Sequence, residues 1–129
     1  MIDIDKFVAI KNQLKQEKGE FTFFGLFLRD DAPDKWDVLV AAPWAEADSQ
    51  AALKTVSAAI TSSLSASELL RLSRVVVLDH DNPMLRAIWA AMKFKDGVGH
   101  FVDCNINGLQ VRHAYILESQ PATAQAGAT

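Results

Sequence analysis

Cysteine is almost absent: Cys104 is the single thiol in 129 residues, so no disulfide can close within the chain. A lone thiol without a secretory leader points to a reducing, cytoplasmic setting. Long hydrophobic runs are missing too. The longest apolar stretch, Phe21 to Leu28, falls far short of the about 20 residues that a membrane helix needs, so no membrane association is expected. No block of basic residues exists either. Lys and Arg number 13 against 16 Asp and Glu, for a net charge of −3, and the lysines of the first helix alternate with acids. Binding to phosphate backbones leaves a basic stripe, so nucleic acid is not an expected partner. Walker, dinucleotide-glycine, Gly-x-Ser-x-Gly and His-Glu-x-x-His patterns are all lacking, which removes the common nucleotide enzymes, serine hydrolases and zinc proteases.

What is present suits one globular domain: half of the residues are apolar and 22% are charged. Ile4, Phe7, Val8, Lys11 and Leu14 recur at helical spacing, predicting a helix over residues 4–18 closed by Gly19 in a left-handed cap. Residues 21–29 and 36–43 read as strands joined by the turn Asp30-Asp-Ala-Pro-Asp-Lys35, hence as a hairpin. In the first strand Phe21, Phe23 and Phe27 are expected on one face and Phe24, Leu26 and Leu28 on the other. Gly25 marks a bulge or a close backbone approach. Trp36, Val38, Val40 and Ala42 share a face of the second strand.

Asp48 or Ser49 opens a helix to about Ser63, with Ala52, Leu53, Val56, Ala59, Ile60 and Leu64 inward. Ser65-Ala-Ser-Glu68 is a capping box, predicting a short helix over 66–72. Val75 to Leu78 reads as a strand covered on both faces, and Asn82-Pro83 starts another helix that is apolar nearly all round through Met92. Asn107-Gly108 demands a tight two-residue turn. It sets Ile106 against Leu109, Cys104 against Val111 and Val102 against His113, with Asp103 facing Arg112. The composition of residues 120–129 predicts a disordered tail after a single domain of residues 1–119. The order α-β-β-α-α-β-α-β-β gives the α+β class: a two-layer α/β sandwich with about five strands, mixed or mostly antiparallel.

Three groups of residues are candidates for function. Asp79-His80-Asp81 follows the valine strand, and its Asp-x-Asp resembles the nucleophile-and-acid motif of the haloacid dehalogenase phosphatases. That resemblance implies a bound magnesium ion and attack on a phosphoryl group. Asn82-Pro83 departs from the small turn of that family, and the other reading of the same residues is that Asp81 and Asn82 cap the helix while Asp79 faces solvent. His100, Cys104 and His113 form a second group, a possible zinc-ligand set if the hairpin puts them on one face; the other reading is a buried thiol and a hydrogen-bonded core histidine. Trp44, Phe24 and Trp89 are the third, as anchors of an interface or ligand site, with Trp44 expected to be partly exposed.

Apolar side chains in the first strand and in residues 84–92 point in more directions than one small core uses. The expected function is therefore non-enzymatic: a small module that binds protein, by self-association or within a larger assembly, without a cofactor. The rival is a metal-dependent phosphoester hydrolase working through Asp79 and Asp81. Neither names a small-molecule ligand.

Overall fold

The structure is a computed structural model and describes residues 2–93 and 97–121. In chain order its elements are α1 (Ile4–Lys18), β1 (Phe23–Arg29), β2 (Trp36–Ala41), α2 (Pro43–Ala47), α3 (Ser49–Ser63), α4 (Ala66–Leu69), β3 (Leu72–Val77), α5 (Pro83–Ala91), β4 (Gly99–Ile106) and β5 (Leu109–Ser119). The aromatic run that becomes β1 is the middle of a single mixed sheet ordered β3-β2-β1-β5-β4. A strand in that position has both faces covered, which is what its apolar alternation on both sides demands. Phe24 and Leu26 pack with α1 and α3, while Phe23 and Phe27 pack with α5 on the opposite face.

The sheet thus forms an α/β sandwich with α1 and α3, and α5 adds a partial third layer. The apolar surplus of β1 and α5 is taken up by this second cluster. Within it the Trp89 indole N–H donates to the Thr22 carbonyl at 3.0 Å, and the Ser119 hydroxyl donates to the Met92 carbonyl. Among the described residues no helix is long and apolar enough to cross a membrane.

Local chemistry sets the helix ends. Asp3 caps α1, Asp48 caps α3 and Asn82 caps α5, its carboxamide accepting from the amides of Met84 and Leu85. Ser65 and Glu68 complete the capping box, and Lys6 of α1 reaches the same carboxylate at 2.7 Å. That hydrogen bond, with the Ser65 amide behind it, holds the Glu68 carboxyl at about 2. The parallel pairing of β2 with β3 spans the helical crossover through α3 and α4.

Several expectations need correction. The valine strand is not interior: β3 is an edge strand, and Val75, Val76 and Val77 are each only half-buried. Among the described residues it pairs with β2 alone, and its valines meet the helices across the faces of the sheet. Phe21 precedes β1, escapes its alternation and packs edge-on against Phe24, with ring centroids 5.1 Å apart. Leu53 is exposed at 40% rather than inward. Pro43 does not end a strand but begins α2, where the proline's missing amide costs no hydrogen bond.

The second short helix stops at Leu69, and Leu72 opens β3. Gly19 has φ +131 but ψ 178, an extended exit and not a left-handed helical cap. Lys11, which the charge pattern places in solvent, is buried at 2%. Residue 120 is tied down, its amide donating to the Thr22 carbonyl at 2.9 Å, and residue 121 is half-buried; residues 122–129 of the expected tail lie outside the described residues.

Candidate functional site

The Asn107-Gly108 turn fixes everything at the β4–β5 end. Asn107 has φ +51 and Gly108 φ +91, the backbone of a primed two-residue turn, and the Gly108 amide donates to Asn105 Oδ1. The register follows as the sequence predicts: Ile106 faces Leu109, Cys104 faces Val111 and Val102 faces His113. The alternation of faces does not follow. Arg112 is an extra residue against β1, which pairs Leu28 with His113 and then Arg29 with Val111. Opposite it, Asp103 adopts φ +50. A bulge of this kind switches every later side chain to the other face.

Arg112 consequently bonds Asp30 at 3.1 Å instead of Asp103. Cys104 and His113 do not meet: Cys104 packs with Val111 on the α5 face, whereas His113 lies near Trp36 on the face of α1 and α3. Burial also pushes the Cys104 thiol above its ordinary value, which keeps it a protonated thiol and a poor ligand.

What the fold brings together is a layer of rings. One row across the sheet runs Val38, Leu26, Tyr115, His100, and the next runs Trp36, Leu28, His113, Val102. His100 lies flat on Tyr115, with centroids 4.2 Å apart and planes 9° apart. Trp36 meets Tyr115 at 5.7 Å and His113 at 6.4 Å. His100 Nε2 and His113 Nδ1 are 3.0 Å apart. Their centroid separation of 5.2 Å is close to that distance plus the two ring radii, so the nitrogens face one another nearly in line.

One imidazole donates its N–H and the other accepts, with the roles set by the tautomers. A cation seated between these nitrogens would have to part them. Exposure rises along the layer from Trp36 at 4% through half-buried Tyr115 and His113 to exposed His100 and Val102, the latter at 53%. The layer is roofed at β2 and open at β4.

Asp79, His80 and Asp81 occupy an exposed turn closed by the Asn82 amide donating to the Asp79 carbonyl. Asn82 caps α5 without Asp81. His80 donates from Nδ1 to Glu46 Oε1 of α2 at 2.7 Å, a bond that raises its pKa above the ordinary histidine value. Among the described residues no three His, Cys, Asp or Glu side chains are grouped so as to hold a metal ion. Phe24 is fully buried and Trp89 is 8% exposed, so neither offers a surface. Trp44 is half-buried as expected, with its indole N–H donating to the Gly19 carbonyl at 3.1 Å.

Tyr115 and Trp36 escape a reading of the sequence as members of a site. Tyr115 opposite His100 follows from extending the Asn107-Gly108 register outward. Trp36 enters only through the strand order, which no local signal carries. Comparison of the chain with family models, with curated proteins and with solved structures finds no match.

Proposed function

We propose that this chain is a binding module without chemistry of its own, docking a protein partner on the open end of the ring layer at β4 and β5, with a second copy of itself as that partner. The exposure gradient supports this most directly: rings and aliphatic side chains continuous with the core run out to a bare valine and a bare histidine at the edge of the sheet. Flat, rigid rings that also carry a polar atom, such as those of Tyr and Trp, are side chains that bury well in interfaces. Their placement on paired strands fixes them before a partner arrives, which lowers the ordering cost of association. The lone, protonated thiol and the acidic balance of charge suit a cytoplasmic protein that avoids nucleic acid. The phosphoester hydrolase reading has less behind it. Its two aspartates project from an exposed turn, and their neighbour His80 is engaged elsewhere.

Light scattering coupled to size exclusion, run over a wide concentration range, tests the proposal. The mass is expected to climb from 14.2 kDa towards twice that value. Val102→Asp should hold the protein at the monomer mass with its melting temperature only slightly lowered, since residue 102 is 53% exposed. A wild type that stays monomeric at the highest attainable concentration, or a Val102→Asp variant that associates equally well, overturns it.

A further inference from the structure

On the opposite face of the sheet from the ring layer, α5 and β4 do not close on each other. A half-open cavity of about 200 Å³ remains between them. From this we infer a binding site for a compact, uncharged, largely apolar small molecule, a monocyclic aromatic carrying one hydroxyl-bearing arm. The inference goes beyond the protein-docking reading and is separate from it, because the two surfaces share no residue.

The size of the ligand follows from the volume. An apolar cavity of about 150 Å³ accepts benzene, so this one holds such a ring with room for one or two further heavy atoms. Its charge follows from the lining. Phe101 and Ile116 from the sheet, Ile88 from the helix and the side of Cys104 line the space, and among the described residues no acidic, basic or histidine side chain does. An ionised group there would lose its hydration with nothing to compensate. The helix side is lined by Ala87 and Ala91, one turn apart, whose short side chains leave the gap.

The hydroxyl is placed by the rim. Asn105 and Asn107 stand at the hairpin end, and Asn105 is already bonded to the Gly108 amide and to Gln110. Asn107 is the side chain there that can meet a polar substituent, at the solvent end of the space, so the ring points inward and the arm outward.

Benzyl alcohol is the neutral probe, with benzylammonium and benzoate as charged isosteres near pH 7. In a methyl-detected NMR titration, benzyl alcohol should give saturable shifts at Ile88, Ile106 and Ile116, with a dissociation constant on the order of millimolar or tighter. Both charged isosteres should bind at least about tenfold more weakly. Ala91→Leu and, independently, Ala87→Leu should abolish the shifts by filling the space, while Ala90→Leu, outside the lining, should keep them. If one filled variant fails to fold, the other carries the test. Shifts that never saturate, equal binding of the charged isosteres, or retention of binding in a folded filled variant would overturn the inference.

Discussion

Lys11 of α1 and Glu118 of β5 form an ion pair inside the protein: Nζ and Oε1 are 3.5 Å apart, with side chains 3% and 0% exposed. Lys11 also donates to the Leu117 carbonyl, and Gln120 donates to the other oxygen of Glu118. A buried pair contributes little beyond what apolar packing would, because desolvation offsets the attraction, but removing one partner strands the other. Lys11→Met should therefore lower stability by about 3–5 kcal/mol in urea melts. Lys11→Met combined with Glu118→Leu should regain most of that loss. A double variant as unstable as the single one would mean that packing around α1, and not the stranded carboxylate, causes the damage.

Gly25 sits under the rings of Phe23 and Phe27, which meet edge-on with centroids 6.2 Å apart. A Cβ on residue 25 would come within 2.7 Å of Phe23 Cζ. Phe23 is fully buried, so its ring has nowhere to retreat. The site also adjoins the bulge at which β5 shifts register between Glu118 and Ile116. Gly25→Ala should cost about 1–3 kcal/mol, the usual penalty of overpacking. A variant with an unchanged thermal midpoint would show that the ring pair is loosely held.

Much of this fold is legible because its signals are local. Asp3, Asp48, Ser65 with Glu68, and Asn82 announce helix starts by chemistry acting within one turn, and Asn107-Gly108 dictates a backbone shape and with it a register. What is not legible depends on distant partners. The valines of β3 declare a pleated strand, yet a preference for pleated surfaces says nothing about how many neighbours the strand has. Lys11 occupies an inward position by spacing and an outward one by charge, and Glu118, far along the chain, decides between them. The switch of faces at Asp103 and Arg112 has no local signature, so the expected company of Cys104 with His113 dissolves and the unexpected one of His100, Tyr115 and Trp36 forms.

Gly108 tests the hairpin on which the ring layer depends. Its φ of +91 is a backbone state that β-branched residues avoid. Gly108→Val should lose about 1–3 kcal/mol and weaken amide protection along β4 before the rest of the sheet. Unchanged hydrogen exchange at Phe101 to Ile106 would contradict the turn.

The exposed aspartates give a separate test. Since Asp79 and Asp81 have no third donor grouped with them among the described residues, Mg²⁺ or Mn²⁺ should leave the thermal midpoint of wild type and of Asp79→Asn alike. Stabilisation by either ion that disappears in Asp79→Asn would restore the phosphoester hydrolase reading.

His80 supplies the pH dependence. Its pKa in the folded protein is raised, first by the hydrogen bond to Glu46, then by the charges of Glu46 and Asp81, against the opposing effects of desolvation and, more weakly, of Arg86. A histidine raised above its unfolded value of about 6.5 binds its proton more tightly when folded, so the stabilisation is complete below about pH 6.5 and fades as pH climbs through the folded value. Because His80 is exposed, the effect on stability should be small and reduced by salt. The ring's own titration is the sharper readout. Followed by NMR, its midpoint should lie above that of an ordinary histidine, and Glu46→Gln should lower it. Any difference in melting temperature between wild type and Glu46→Gln should be largest near pH 6 and shrink as pH rises through the folded titration of His80. A midpoint untouched by Glu46→Gln would show that α2 and the turn after β3 do not hold these side chains together.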